Sequence, residues 1–527
     1  MNRISARWQA ALSLVVVSPV RRSTAAALAL TALIGVAVLP LLRPVVRSLD
    51  TAAVGDTSGW SLEMAVNRTW CGRYPYLTST ISENAARIDL MHLSVRNAGT
   101  TAIRNLIISG AGSLADYCRM EGQRAPFHEA SMILVESALL TTRRLISLPG
   151  LAYGLAGLAH AGFLTFAFVL LKLRWPAVFV AGVVAAAMYM TALLGGNALY
   201  SPYPLILPTL LVGIGIGGLC LGYKIHRWPA LFLTAAFVLG VWTGFLGNLR
   251  TSCYPAAALI TCLFIGVAAV DWREVARPST GTLAAATCAA VLAAVAGVAT
   301  FDRLFIAPIR AVDAPGHYSY HVVMHPLVLG LATLPNELAT REHLKWDDTS
   351  GVEAAQRIDP SVTYLGPGYE RALFAYYVQL WRRNPAAMAG IYFRKLTDTR
   401  RKAEEFLKSY DSGLFWPRKD GRWLAAAAWP ALRIASVAGM TGLFGGLMAV
   451  GYFRPAGLAM DRARGFCVMA IAVSGFLGFV ESAVVLSGVV LWYSSLYLFA
   501  LVFAGLFVYQ GAVDACWRRW TLTVSHR

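Results

Sequence analysis

Residues 229–247 read PALFLTAAFVLGVWTGFLG, a run without a charged side chain that is entered from Arg227 and followed by Arg250. A helix needs about 20 such residues to cross the roughly 30 Å hydrocarbon core of a bilayer. Comparable apolar runs lie near 24–46, 148–171, 177–195, 204–223, 254–270, 281–300, 430–452, 465–487 and 491–513. The whole chain agrees with them: of 527 residues 57% are hydrophobic and 14% charged, with a mean hydropathy of +0.56. Those values lie far outside the range of soluble globular proteins. The expectation is an all-α polytopic membrane protein of about ten transmembrane helices.

Basic residues between the runs set an orientation, because short cytoplasmic loops collect Lys and Arg. Lys172 and Arg174, Lys224 and Arg227, Arg273 and Arg277, then Arg454, Arg462 and Arg464, and last Arg518 and Arg519 fall in alternate connections. The intervening connections, such as Gly195 to Tyr203 and Ser487 to Val490, hold almost none. Residues 1–23 are thus read as cytoplasmic, 24–46 as an uncleaved signal anchor, and 47–147 as a first extracytoplasmic loop domain. Helices two to seven occupy 148–300, a second extracytoplasmic domain 301–423, helices eight to ten 424–513, and a cytoplasmic tail 514–527. Both loop domains are expected to be mainly helical, and the location is a cell inner (plasma) membrane crossed many times.

The formal net charge is +18, but the basic residues are scattered through membrane-flanking loops. A nucleic-acid partner would call for a basic patch laced with aromatics on a soluble module; membrane lipid headgroups fit this distribution instead. Cys220, Cys262, Cys288 and Cys467 lie inside apolar runs and read as small packing residues. Cys71 and Cys118 share the first loop, where an oxidising compartment would permit a disulfide.

That first loop opens with Gly55-Asp56-Thr57-Ser58-Gly59-Trp60-Ser61-Leu62-Glu63-Met64-Ala65-Val66-Asn67, then Gly72-Arg73-Tyr74-Pro75-Tyr76. On a helix beginning at Asp56, the residues Asp56, Trp60, Glu63 and Asn67 share one face. A carboxylate beside an aromatic platform suits sugar chemistry, in which the acid takes a proton from an attacking hydroxyl. Capping the helix is the other reading of Asp56.

An Asp at the outer end of the first helix, an aromatic four residues on, and Ala-x-Asn before a Gly-aromatic turn resemble the C-superfamily of glycosyltransferases. The likeness extends to a second large loop after the seventh helix. It implies a polyprenyl-phosphate-linked sugar donor, a glycan, lipid or protein acceptor of the envelope, and Asp56 as general base with Glu63 and Asn67 beside it. It implies no required cofactor. Metal-dependent members carry acids in the loop after the third helix, whereas 195–203 has none, which argues against a divalent cation.

Further candidates follow from residue type. Glu129, after His128 in the first loop, is a second acid–base group or part of an interfacial helix. His317, His321 and His325 recur every four residues along a turn that Pro326 is expected to end. His321 and His325 read as sugar- or phosphate-facing, as ordinary surface or packed histidines, or as metal ligands, although no carboxylate falls at a matching position. A helix from Tyr369 to Asn384-Pro385 is followed by a basic one from about 386 to 408, where Arg394 and Lys395 would meet a lipid phosphate or simply form a solvated face. Glu481 in the ninth run and Arg433 in the eighth are intramembrane ionisable residues, which mark function, or else Arg433 snorkels and Glu481 lines a wet interior. A lipid-linked saccharide transporter or flippase and a non-catalytic polysaccharide-assembly subunit share this architecture and stay open.

Overall fold

The structure is a computed structural model that describes residues 203–224, 227–249, 253–306, 323–364, 366–409, 422–454, 460–485 and 496–512. Among the described residues all regular elements are helical and no strand is present. The first group comprises α1 (Tyr203–Gly222), α2 (Pro229–Leu249), α3 (Cys253–Ala276) and α4 (Thr280–Phe301), the last continuing into a π turn at Asp302–Ile306. A group of shorter helices follows: α5 (Met324–Gly330), α6 (Glu337–Arg341), α7 (Asp348–Gln356), α8 (Tyr369–Arg383) and α9 (Pro385–Ser409). Then come α10 (Arg422–Phe453), α11 (Arg462–Val485) and an apolar helix α12 (Leu496–Ala512).

Among the described residues five helices are long and apolar enough to cross a membrane: α2, α3, α4, α10 and α11. Local chemistry sets their ends. Pro229 opens α2 at a position whose N–H needs no partner. Ser279 caps α4, its hydroxyl accepting from the Thr282 N–H at 3.2 Å. Within α10 the backbone leaves the helical region at Gly439, with φ 74° and ψ 169°, so this element is two helical pieces joined at a kink.

Small residues bring these helices together. Gly240 of α2 lies against the Ala294 carbonyl of α4, and Gly297 of α4 against the Phe237 carbonyl of α2. Lipid offers no hydrophobic force between apolar helices, so close backbone approach and dispersion hold them. Elsewhere Trp242 fills the space over Gly213 and donates its indole N–H to the Thr209 carbonyl at 2.6 Å. Cys467 is buried in this core, but Cys262 and Cys288 are exposed on the outer faces of α3 and α4. The packing role read for those two is corrected: a thiol is apolar enough to stand on an outward face, and their register places them there.

One end of the bundle is tied by charge. Asp271, buried near the end of α3, accepts from Arg227 Nε and Nη2 at 3.1 and 3.0 Å. Arg462, at the start of α11, pairs with Asp271 and with Glu274.

Helices α5 to α9 surround a second core that includes Val328, Leu331, Tyr369, Leu373, Met388 and Ile391. Asn336 caps α6 and Asp347 caps α7 through side-chain oxygens that accept from Ala339 and Ser350 N–H. α8 stops before Asn384-Pro385, and α9 starts on that proline. α9 joins the two cores. Its buried stripe is Met388, Ile391, Lys395, Thr399 and Ala403; the first two belong to the polar domain's core and Ala403 to the core of the long helices.

Candidate functional site: the seat of the polar domain on α11

Lys395 stands where the two cores meet. The stripe of α9 repeats at helical spacing and carries the lysine inward with it, leaving 0% of the residue exposed. Its Nζ donates to the carbonyls of Gly330 at 2.6 Å, Val484 at 2.5 Å and Val485 at 3.4 Å. The Tyr392 ring centroid is 5.7 Å away. Gly330 closes α5, and Val484 and Val485 are the last described residues of α11, so the ammonium meets the negative end of the α5 dipole and two backbone carbonyls of α11. Burial lowers the lysine's pKa from 10.5 to about 7.

The end of α5 nearly touches α11 at Val484 and Val485. A β-carbon on Gly330 would stand 2.6 Å from the Val485 carbonyl oxygen and 3.0 Å from that of Val484. Glycine is what lets the short helix abut the long one. Glu481 is one turn earlier on α11 and is half-buried.

The other end of α5 is fixed by Glu370. Its carboxylate accepts from the N–H groups of Val323 and Met324 at 2.7 Å each and of His325 at 3.0 Å. The fourth N–H that a helix start would leave unpartnered does not exist, because Pro326 occupies that position. Here the sequence reading is corrected: Pro326 does not end a turn but sits in the first turn of a new helix, where a missing N–H costs nothing.

His325 is buried beside this cap. Its Nε2 lies 3.2 Å from Asp348 Oδ1 and its Nδ1 2.7 Å from the Tyr369 hydroxyl. The tautomer with its proton on Nε2 donates to the carboxylate and accepts from the tyrosine on Nδ1. Burial, reinforced by Asp348, pushes Tyr364 up to about 12. Burial raises Tyr369 as well, with Tyr364, Asp348 and Glu370 adding to it, so both phenols stay protonated near neutral pH. The Tyr364 ring packs edge-on to both His325 and Tyr369.

Of the residues singled out from sequence, Lys395 and Glu481 come to this seat, with Arg394 next to it and His325 at the far end of α5. Arg394 is exposed and forms no ion pair among the described residues. Arg433 is exposed on α10, its guanidinium carbon 5.3 Å from the Trp429 ring centroid. Asp56, Trp60, Glu63, Asn67, Glu129, His321, Cys71 and Cys118 lie outside the described residues. Among the described residues no group of three or more His, Cys, Asp or Glu is placed to hold a metal ion.

Sequence reasoning passed over Asp348, Tyr369 and Glu370 as site members. In sequence Tyr369 and Glu370 read only as the start of a helix, and only the packing of α5 against α7 and α8 gathers them with Asp348. Gly330 carried no signal beyond being a glycine. Compared with protein-family models, curated proteins and solved structures, the chain matches none.

Proposed function

We propose that the chain is a membrane glycosyltransferase that moves a sugar from a polyprenyl-phosphate donor to an envelope glycan, lipid or protein on the extracytoplasmic side. In this reading ten helices span the membrane, both termini are cytoplasmic, and residues 47–147 and 301–423 face outward. Asp56 takes the proton from the acceptor hydroxyl as that oxygen attacks the anomeric carbon. The bond to the phosphate oxygen breaks with inversion, and the polyprenyl phosphate leaves. Trp60, Glu63 and Asn67 hold the sugar, with Glu129 and His321 lining the approach.

The reading is supported chiefly by the seating of the polar domain directly on a membrane-length helix at Val484 and Val485, beside the half-buried Glu481. A lipid-borne substrate reacts at such a boundary. We assign the leaving phosphate to Arg394, which is exposed and without an acidic partner among the described residues. Lys395 has its three donors on carbonyls.

The test is Asp56→Asn in membranes supplied with labelled polyprenyl-phosphate sugars. Transfer should fall by about 10²-fold or more, the scale of a lost general base, while the protein still inserts and purifies normally. Undiminished transfer removes Asp56 as the base. A second reading, a non-catalytic assembly subunit, draws on the engagement of His325, Glu370 and Lys395 inside the fold. Under it the substitution leaves polysaccharide assembly intact.

A further inference from the structure

The charge of Lys395 is met by dipoles rather than by an acid. It forms no ion pair among the described residues, and the carbonyls of Gly330, Val484 and Val485 surround its nitrogen. Taking an ammonium out of water costs several kcal/mol unless a counter-charge answers it. The neutral amine keeps two N–H donors for the same carbonyls and escapes that cost.

We propose that Lys395 is a proton-sensitive coupling element between the polar domain and α11, whose protonation loosens the seat and whose deprotonation tightens it. The inference does not depend on the transferase reading. It stands on the junction's geometry: a wholly buried amine, the end of α5 abutting the carbonyls of Val484 and Val485 on α11, and a glycine that leaves no room for a substitute contact.

The sign follows from linkage. Seated, the amine titrates at about 7; lifted into water, it returns to the ordinary lysine value of 10.5. Between those values the lifted form holds a proton that the seated form lacks, so the seat strengthens as pH rises above about 7. Below about 7 both forms are protonated, and pH has no further effect through this group.

Other ionisable groups around the seat have their own settings. On α9, Asp398 is held by Arg401 and Lys402, and Arg394 points outward. On α8 and α9, Tyr377 and Tyr392 bond to each other at 2.6 Å, and burial holds Tyr392 far above the usual phenol range. On α5, His325 is bonded to Tyr369 and Asp348 at the helix's far end. On α10, Arg433 lies over Trp429. On α11, Glu481 lies one turn from Val485, so the experiment must separate it from Lys395.

Hydrogen exchange of the full-length protein in lipid nanodiscs tests this, read on peptides covering α5 and the stretch of α11 at Val484 and Val485. The opening constant of wild type is divided by that of Lys395→Met at each pH, which cancels the intrinsic exchange rate. Between about pH 6 and 7 the ratio should be level; toward about pH 9 it should fall with a limiting slope of roughly tenfold per unit. Should Lys395→Met not fold, Lys395→Arg, charged throughout, replaces it as the divisor and must give the same slope. A ratio that stays level over the whole range overturns the proposal. So does a slope that vanishes in Glu481→Gln, which would transfer the titration to that carboxyl.

Discussion

Adding one methyl group to Gly240 or Gly297 tests how the long helices are held. A β-carbon on Gly240 would stand 2.0 Å from the Ala294 carbonyl oxygen, and one on Gly297 2.2 Å from the Phe237 carbonyl oxygen. Ordinary contact begins at about 3.5 Å, so α2 and α4 must part by about 1 to 1.5 Å. Both obstacles are backbone atoms in helices and cannot swing aside. A gap of about 0.5–1 Å already forfeits a quarter to a half of the dispersion well for each atom pair. The loss extends along the seam through Ala290, Ala294 and the edge-to-face pair Phe245–Phe301. Each single substitution to Ala should therefore cost about 1–3 kcal/mol, the upper part of that range being expected against backbone. One separation relieves both clashes, so the double variant should cost less than the sum by about 1 kcal/mol. Reversible unfolding in mixed detergent micelles, followed by circular dichroism, measures all three. Single effects below about 0.5 kcal/mol, or strict additivity, would refute the close approach.

Two further substitutions probe the polar ends of the assembly. Glu370→Gln keeps one good acceptor where three N–H groups converge on two charged oxygens; the domain should lose about 1–3 kcal/mol, and exchange at the amides of Val323, Met324 and His325 should quicken. Unchanged protection there would mean that the cap contributes nothing. Asp271→Asn leaves the guanidinium of Arg227 without this carboxylate, while Arg462 keeps Glu274. The side chain of Arg227 is about a quarter exposed, at 28%. The cost should be about 1–3 kcal/mol, below that of breaking a fully buried pair, and the thermal midpoint should fall. A neutral outcome would reduce the cluster to a surface contact.

What could be read from sequence follows from how far each signal reaches along the chain. The runs at 229–247, 254–270, 281–300, 430–452 and 465–487 each settle their own identity, since an apolar stretch of that length has few other states in water or lipid. They reappear as α2, α3, α4, α10 and α11. The break between α8 and α9 at Asn384-Pro385 was equally legible, because proline acts on its immediate neighbours. Pro326 misled for the same reason: proline says that a helix boundary is near but does not say on which side the helix lies. Lys395 was hidden by its company. Arg394, Arg400, Arg401 and Lys402 make the segment look like a solvated face, and only the register of Met388, Ile391, Thr399 and Ala403 reveals that the lysine shares the buried stripe. That register was available in the sequence. The partners of the lysine were not, since they lie on α5 and at Val484 and Val485 of α11, far along the chain.

The identity of that residue can be argued from its surroundings. Backbone carbonyls packed against a neighbouring domain are cut off from water and gain from donors that the domain supplies. Seating the polar domain on α11 places the carbonyls of Gly330, Val484 and Val485 in that position, and Lys395 supplies the donors. A methionine in the stripe would offer none, and each of the three carbonyls would lose a bond, at about 0.5–1.5 kcal/mol apiece. An arginine has donors enough, but they are fixed in a plane on a broad head, whereas the lysine nitrogen sends three from one point to carbonyls on two helices. Lysine thus fits the seat because of its shape and its donors. The titration near neutral pH comes with that choice, since an amine placed there to bond carbonyls must also be able to lose a proton.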